Sequence, residues 1–271
     1  MKRNIMMTLL LLVSSLSTVK AQDNVVKLHL EGLAFKQLNF SYERVLSDKL
    51  SAGAKIGFFI PGKIPGLVYT PEIPVDGYVA NELLKNRFTG VSIVPEIRFY
   101  PGGKAPKGFY LGAYIRYNTY KLGLSQTESY KLSDQEYQDL SPTEDYYSLV
   151  DHTNKSIDAT LDLEVKLRQF GLGGQIGVQW CIGDKVTIDW GIIGIGYDFY
   201  KISGKVSAVD IPVDYAKYSA EAEETFNKDI EGLPFIGNSK VTVEADKESV
   251  TASLPFSSIG VRSFLSIGFR F

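Results

Sequence analysis

The chain has 271 residues, of which 44% are hydrophobic and 22% charged, and its formal net charge is −2. This balance argues against a disordered chain and against a polybasic surface that binds nucleic acid. Aromatic residues reach 12%, and the one cysteine, Cys181, has no partner for an internal disulfide. We therefore expect a fold held together by hydrogen bonds and packing.

The N-terminus has the pattern of a secretory signal peptide. Two basic residues precede an apolar run from Ile5 to Val13, and the pattern ends at Ala21. Because the run is shorter than the roughly 20 residues of a membrane-spanning helix, cleavage after Ala21 is predicted. Residues 1–21 are assigned to the signal peptide and residues 22–271 to one exported domain, which is periplasmic, secreted, or a β-barrel in the outer membrane.

Eight segments alternate apolar and polar side chains, as β-strands do. They cover residues 24–32, 36–46, 49–61, 87–100, 107–122, 157–182, 184–202 and 255–271. The sixth is longer than one membrane crossing needs, and its alternation changes phase near Arg168 and Gln169. This change predicts a β-bulge at that point and an extension beyond the membrane.

The connections alternate in length after the first one, which is a short stretch around Gly32. Short turns follow the second, fourth and sixth segments, whereas long connections cover residues 61–86, 123–156 and 203–254. Outer-membrane barrels alternate short periplasmic turns with longer external loops. The pattern therefore predicts an all-β fold, an eight-stranded antiparallel transmembrane up-and-down β-barrel with long extracellular loops.

Charged residues lie in the middle of these strands, opposite the apolar face. In a narrow barrel they would point inward, where opposite charges pair. The predicted lumen charge network consists of Glu43, Lys55, Glu96, Arg98, Arg116, Asp189, Arg262 and Arg270. An aromatic girdle is predicted near the short turns from Tyr100, Phe109, Trp180, Trp190 and Phe271. The alternative, a soluble β-sandwich with scattered core aromatics, stays open.

Two of the long connections are acidic. Residues 121–156 carry three Lys against seven Asp and Glu, and residues 203–254 carry five Lys against ten. Divalent cations that bridge these loops to lipopolysaccharide would explain this charge, and so would simple solubility. In the last connection, apolar residues at helical spacing from Tyr215 to Ile230 predict a short helix.

Three stretches, "LNFSYERVLSDKLSAGAKIGF", "PEIRFYPGGKAPKGFYLGAYIRYNTYKL" and "GGQIGVQWCIGDKVTIDWGIIGIGY", resemble small outer-membrane β-barrel proteins common in Bacteroidetes. This family has no assigned function and an OmpA-like or OmpW-like architecture. The resemblance covers nearly all of residues 24–202 and the C-terminal strand. It implies an eight-stranded barrel in the outer membrane, and it carries no catalytic residue.

Signatures of enzymes are absent from the sequence: it has no phosphate-binding loop, no H-E-x-x-H, no C-x-x-C and no G-x-S-x-G. His29 lies beside Lys27 and Glu31 on the first strand, where a satisfied lumen histidine is favoured over a catalytic base. His152 follows Asp151 in a loop near Ser148, and this trio has no visible partner geometry. We expect no enzyme, no metal site and no cofactor.

The chain ends in "SFLSIGFRF", where one face carries Leu265, Ile267, Phe269 and Phe271. This ending resembles the C-terminal signal that barrel-assembly machinery reads. The sequence thus indicates a non-enzymatic integral outer-membrane protein, a structural barrel that displays acidic loops for binding or envelope integrity. Its expected partners are outer-membrane lipid, lipopolysaccharide, the assembly machinery and an extracellular ligand, but no nucleic acid. The alternatives are an OmpW-like channel for small hydrophobic solutes and, less favoured, an outer-membrane lipid-modifying enzyme.

Overall fold

The computed structural model describes residues 24–61, 74–75, 78–79, 88–139, 147–208, 219–230, 239–246 and 249–271. The predicted signal peptide lies outside these residues, and so does most of the connection predicted over residues 61–86. Within the described ranges the fold is all-β with a few short helices, as the alternating pattern predicts.

The strands form one antiparallel sheet that closes into a ring. In the described part of the chain, the ring runs in chain order through β1 (Asn24–His29), β2 (Gln37–Ser47), β3 (Leu50–Phe59), β4 (Phe88–Phe99), β5 (Gly108–Lys131), β6 (Ser156–Ile182), β7 (Val186–Ala208) and β8 (Ser249–Arg270). β1 then pairs with β8, from Val25 opposite Arg270 to His29 opposite Ser266. Because the first and last strands meet, the sheet forms a β-barrel.

Short helices and strands lie in the connections. The helices are α1 (Glu31–Ala34), α2 (Asp134–Asp139) and α3 (Ser219–Ile230), with a 3₁₀ turn at Tyr147–Leu149. The short strands are Pro74–Val75 with Tyr78–Val79, Val150–Asp151 beside β6, and Thr242–Ala245 beside β8. α3 confirms the helix predicted in the last connection, and Asn227 fastens it to the backbone of Val241 through two hydrogen bonds of 2.8 and 3.0 Å.

One end of the barrel holds the short turns and both ends of the described chain. There the backbone N–H of Asn24 donates to the carbonyl of Phe271, and the N–H of Phe271 donates back at 2.9 Å. The helical connection through α1 and the longer connections lie at the opposite end. The described strands therefore span between a turn end and a loop end.

The strands are staggered around the ring. From His29, each cross-strand partner leads to the next around the ring, in the order Asn39, Gly57, Ser92, Asn118, Gln169, Tyr200 and Phe256. In the β8–β1 register, Val25 lies opposite Arg270. If β1 continued as a strand in this register, its position 39 would lie opposite Phe256. That position lies ten residues beyond His29 (39 against 29), and such a stagger tilts the strands by about 40° from the barrel axis.

The bulge predicted at Arg168 and Gln169 is wrong. β6 pairs with β5 without a register shift along its whole length, and Gln169 is buried while Arg168 is exposed. What changes at this point is the character of the outward face. It is apolar from Phe170 to the turn at Ile182, and it is charged before Phe170, as at Glu164. Apolar and polar residues therefore exchange faces while the backbone stays regular.

A bulge does occur on β7. The register against β8 shifts between Gly191 and Gly194, and the register against β6 shifts between Gly191 and Ile193. Beyond this bulge, Ile193 and Ile195 point outward, where a regular strand would have placed Gly194. The bulge thus keeps the outside of β7 apolar on both sides of the register shift.

The strands of the barrel differ widely in length. β5 to β8 have 22 to 27 residues each, whereas β1 has 6. The taller strands continue past the predicted crossings, so the acidic connections are shorter than predicted and begin after Lys131 and Ala208. Beside β1, the edge of β8 has no strand partner in the described residues between Leu254 and Leu265. The described part of the wall therefore has a gap above His29, bounded by β1 and by residues 254–265 of β8, and we call this gap the notch.

Candidate functional site: the lumen

A cluster of buried opposite charges fills the lumen near the short turns, and we call it the lower cluster: Lys27, Glu43, Arg98 and Asp189. Lys27 Nζ donates to Asp189 Oδ2 at 2.6 Å and pairs with Glu43 Oε2 at 2.5 Å. Arg98 Nη1 donates to the same Asp189 oxygen at 2.7 Å and lies 3.6 Å from Glu43 Oε2. Each carboxylate therefore lies between two cations.

Neutral side chains complete the hydrogen bonding of the lower cluster. Gln179 Oε1 accepts from Lys27 at 2.8 Å and from Arg98 at 3.0 Å. The hydroxyl of Tyr100 donates to Glu43 at 2.8 Å, and that of Tyr110 donates to Asp189 at 3.0 Å. Tyr100 is thus not part of the girdle, contrary to the prediction, because it directly follows β4 and is buried inside the ring with Arg98.

A second level of the lumen centres on Glu96. Arg98 Nε donates to Glu96 Oε1 at 2.7 Å, and Gln175 Nε2 donates to Glu96 Oε2 at 3.1 Å. Arg262 Nη2 lies 3.5 Å from the same carboxylate, and its guanidinium sits 4.5 Å from the ring centroid of Tyr114. Arg98 therefore links this level to the lower cluster.

The third level pairs Arg116 with Asp198. Arg116 Nη2 lies 2.8 Å from Asp198 Oδ2, and the hydroxyl of Tyr200 donates to the same oxygen at 3.3 Å. Asp198 was absent from the predicted network because the bulge on β7 reverses the face of every later residue. The signal in the sequence is the doubled isoleucine Ile192–Ile193, which breaks the alternation inside the strand.

Two predicted members lie at the margins of this network. Lys55 Nζ is 3.9 Å from Glu31 Oε1, so its ion pair is loose. Arg270 is half-buried at the turn end of β8, opposite Val25. Lys27 is a member that the predicted network lacks, although it shares the inward face of the short β1 with Val25 and His29.

Glycines make room for these large side chains on the inner face. At Gly177, an added Cβ would lie 2.3 Å from the hydroxyl of Tyr110 and 2.7 Å from the carbonyl oxygen of Trp190. Gly174, which faces outward on the same strand, has no neighbour closer than 3.8 Å. The space beside Gly177 is thus filled by a neighbouring side chain, as expected in a ring just wide enough for side chains to fill.

The outside of the ring is apolar. Trp180 and Trp190, near the short turns, are each 44% exposed, and Phe109 and Phe271 lie exposed at the same end. The C-terminal face predicted as an assembly signal, Leu265, Ile267, Phe269 and Phe271, is exposed along β8. The ring thus has an apolar exterior and a charged interior.

The two histidines have different surroundings. His29 is 2% exposed, and its Nε2 lies 2.9 Å from Ser41 Oγ, while its Nδ1 lies 3.4 Å from Glu31 Oε1. His152 is exposed, and its Nδ1 is 3.0 Å from the hydroxyl of Tyr137. The loop trio weighed from the sequence is not assembled, because Asp151 instead accepts hydrogen bonds from Thr153 and Asn154.

One ion pair braces the base of the loop between β5 and β6. Lys155 Nζ donates to Asp134 Oδ1 at 2.6 Å, and this hydrogen bond lowers the pKa of the Asp134 carboxyl below its usual value. The same contact raises the pKa of Lys155. Both groups are solvent-exposed, so this pair contributes little to stability.

Within the residues that the structure describes, no helix has the length and apolarity needed to cross a membrane. Over the same residues, no group of three or more His, Cys, Asp or Glu side chains is placed to hold a metal ion.

No protein-family model matches the sequence, and no curated protein matches it. Among solved structures, the chain is similar to the translocator domain of the autotransporter NalP from Neisseria meningitidis, at 10% identity and a TM-score of 0.25, over 100% of this chain and 96% of that one. It is also similar to the outer membrane protease OmpT from Escherichia coli, at 10% identity and a TM-score of 0.26, over 93% and 94% of the two chains. At such scores, neither similarity bears on function.

Proposed function

We propose that this protein is an integral outer-membrane protein in which the eight strands β1 to β8 cross the membrane as an up-and-down barrel. The observation that carries the proposal is the polarity of the ring, with large apolar side chains outside and paired charges inside. A water-soluble barrel would place them the other way round. The predicted signal peptide, cleaved after Ala21, supports the same location.

The height of the apolar exterior supports this assignment. Outward apolar residues run from Phe109 to Tyr117 on β5 and from Phe170 to Ile182 on β6. With about 3.3 Å per residue and a tilt of about 40°, these stretches rise roughly 20 to 30 Å. The apolar band of outer-membrane barrels is about 25 Å tall.

The role that fits this interior is structural. Three levels of paired side chains cross the lumen, so the barrel serves as an anchor that displays its acidic connections for binding or for envelope integrity. Lipopolysaccharide, bridged by divalent cations, is a partner consistent with the excess of Asp and Glu over Lys in residues 121–156 and 203–254.

Purified full-length protein, refolded in detergent micelles and lipid vesicles, tests the proposal. A folded barrel should migrate faster on gels before boiling than after it, and vesicles should protect the strands but not the loops from added protease. In planar bilayers, the filled lumen should give no large stable conductance. Complete digestion in vesicles would refute membrane insertion, and a large steady conductance would refute the closed lumen.

The notch beside β8 favours a second candidate, a sideways path for small hydrophobic solutes. The side chains of Ile259 and Val261, on the unpaired stretch of β8, are 72% and 65% exposed. A spin-labelled fatty acid that binds the wild type and the control Val178→Trp, changed on the outside of β6, but binds Val261→Trp more weakly, would support this path. Equal binding to Val261→Trp and to the control would exclude it.

A further inference from the structure

A serine, a histidine and a glutamate meet at the floor of the notch. β2 supplies Ser41, β1 supplies His29, and α1 supplies Glu31 immediately after β1 ends. Ser41 Oγ lies 2.9 Å from His29 Nε2, and His29 Nδ1 lies 3.4 Å from Glu31 Oε1. This is the connectivity of a nucleophile, a general base and an orienting acid.

The polar atoms here are incompletely satisfied. Among the described residues, His29 Nδ1 and Glu31 Oε2 are buried without a hydrogen-bond partner. Buried polar atoms are nearly always paired, and catalytic groups are a recognised exception. The 3.4 Å separation is long for a hydrogen bond, yet such contacts commonly tighten only when substrate binds. Ser41 itself is half-buried, whereas His29 is buried.

A cation stands next to the nucleophile. Lys55 lies directly opposite Ser41 on β3, and its Nζ, 3.9 Å from Glu31 Oε1, is only loosely paired. Lys27 lies opposite Ser41 on the other neighbouring strand, β1, and it is bound to Asp189 and Glu43 of the lower cluster. Lys55 is therefore the group placed to stabilise negative charge that develops on a carbonyl oxygen near Ser41.

The apolar side chains at the rim of the notch indicate the substrate class. Leu33 and Phe35 are exposed on the α1 side, and Ile259 and Val261 are exposed on the β8 side. The ring of Phe264 lies with its centroid 5.2 Å from that of His29. We propose that Ser41, His29 and Glu31 hydrolyse carboxylic esters of apolar acyl chains that enter through the notch. This activity goes beyond the structural role and does not depend on it.

The reaction balances with water as the second reactant. The oxygen of Ser41 forms a bond to the ester carbonyl carbon while His29 Nε2 takes the hydroxyl proton. The carbon–oxygen bond to the alcohol then breaks, and His29 returns that proton to the leaving oxygen. Water attacks the acyl-serine, gives one proton to His29, and releases the carboxylic acid as Ser41 regains its proton. Glu31 stays ionised and orients the imidazole.

The test uses the refolded full-length chain in detergent micelles with a fluorophosphonate probe and with p-nitrophenyl esters of butyrate and decanoate. Wild type should be labelled on the peptide that contains Ser41, and it should prefer the decanoate. Ser41→Ala and His29→Gln should lose label and lower kcat/KM by about 100-fold or more. Ser266→Ala is the matched control, because this buried serine lies opposite His29 and should retain both readouts.

Labelling that persists in Ser41→Ala, or wild-type hydrolysis no faster than that of Ser41→Ala, would overturn the proposal. Mapping the adduct on wild-type protein by mass spectrometry needs no variant, so a folding defect in a variant does not leave the question open. Heat-modifiable migration of the same samples reports separately on the barrel.

Discussion

The lower cluster gives the sharpest quantitative prediction, through Asp189→Asn. This carboxylate accepts from Lys27 at 2.6 Å, from Arg98 at 2.7 Å and from Tyr110 at 3.0 Å, and it is completely buried. The amide keeps the volume but removes the charge, so two buried cations lose a shared partner. Breaking a buried ion pair costs about 3–5 kcal/mol, and because Glu43 still faces both cations, we expect the lower end, about 3 kcal/mol.

The measurement is the free energy of unfolding in urea, in micelles, followed by tryptophan fluorescence and by heat-modifiable migration. Asp184→Asn, in the exposed β6–β7 turn, is the matched control and should change stability by less than about 0.5 kcal/mol. Adding Lys27→Met to Asp189→Asn should recover part of the loss, since it removes one of the stranded charges. An Asp189→Asn variant as stable as the control, or a double variant less stable than the sum of both changes, would refute this account of the lumen.

Three further predictions follow from other parts of the fold. Deleting Phe271 should reduce folded protein in outer-membrane fractions severalfold, measured by heat-modifiable migration, while a deletion with unchanged yield would exclude its role in assembly. Gly177→Ala should lower stability by roughly 1–3 kcal/mol because its Cβ overlaps a tyrosine hydroxyl, whereas Gly174→Ala should be neutral, and equal effects in urea unfolding would contradict the assigned faces. The Asp134–Lys155 pair should hold the loop closed above the ordinary Asp134 pKa of about 3.8 and release it as pH falls through the lower folded value. The ratio of the loop's amide exchange rate in the wild type to that in Lys155→Met should therefore be higher at pH 2.5 than at pH 6. An identical ratio at both pH values would contradict this prediction.

Much of the barrel could be predicted from alternation, because each strand must present one face to each environment. All strands of the ring occur where they were predicted, and their turn ends agree within a few residues. The height of β1 could not be predicted in this way. Its alternation continues past His29, but α1 begins at Glu31, and only the pairing of His29 with Ser266 reveals how much of β8 rises above it. The notch, and the approach of Ser41 to His29, therefore depend on register between strands that are distant in sequence.

The two phase changes show what alternation can and cannot report. On β6, the apolar residues change face near Arg168, at the edge of the apolar exterior that lies far from the turn at Ile182, and the backbone there is regular. On β7, they change face at Ile192, only a few residues after Val186, and there the backbone bulges. Alternation alone does not separate the two cases, because it records the contrast between two surroundings and not the direction of the backbone. Distance from the turn does: a change at the edge of the apolar exterior marks new surroundings, and a change within that exterior requires an extra residue, since otherwise charged groups such as Asp198 would lie outside among apolar side chains.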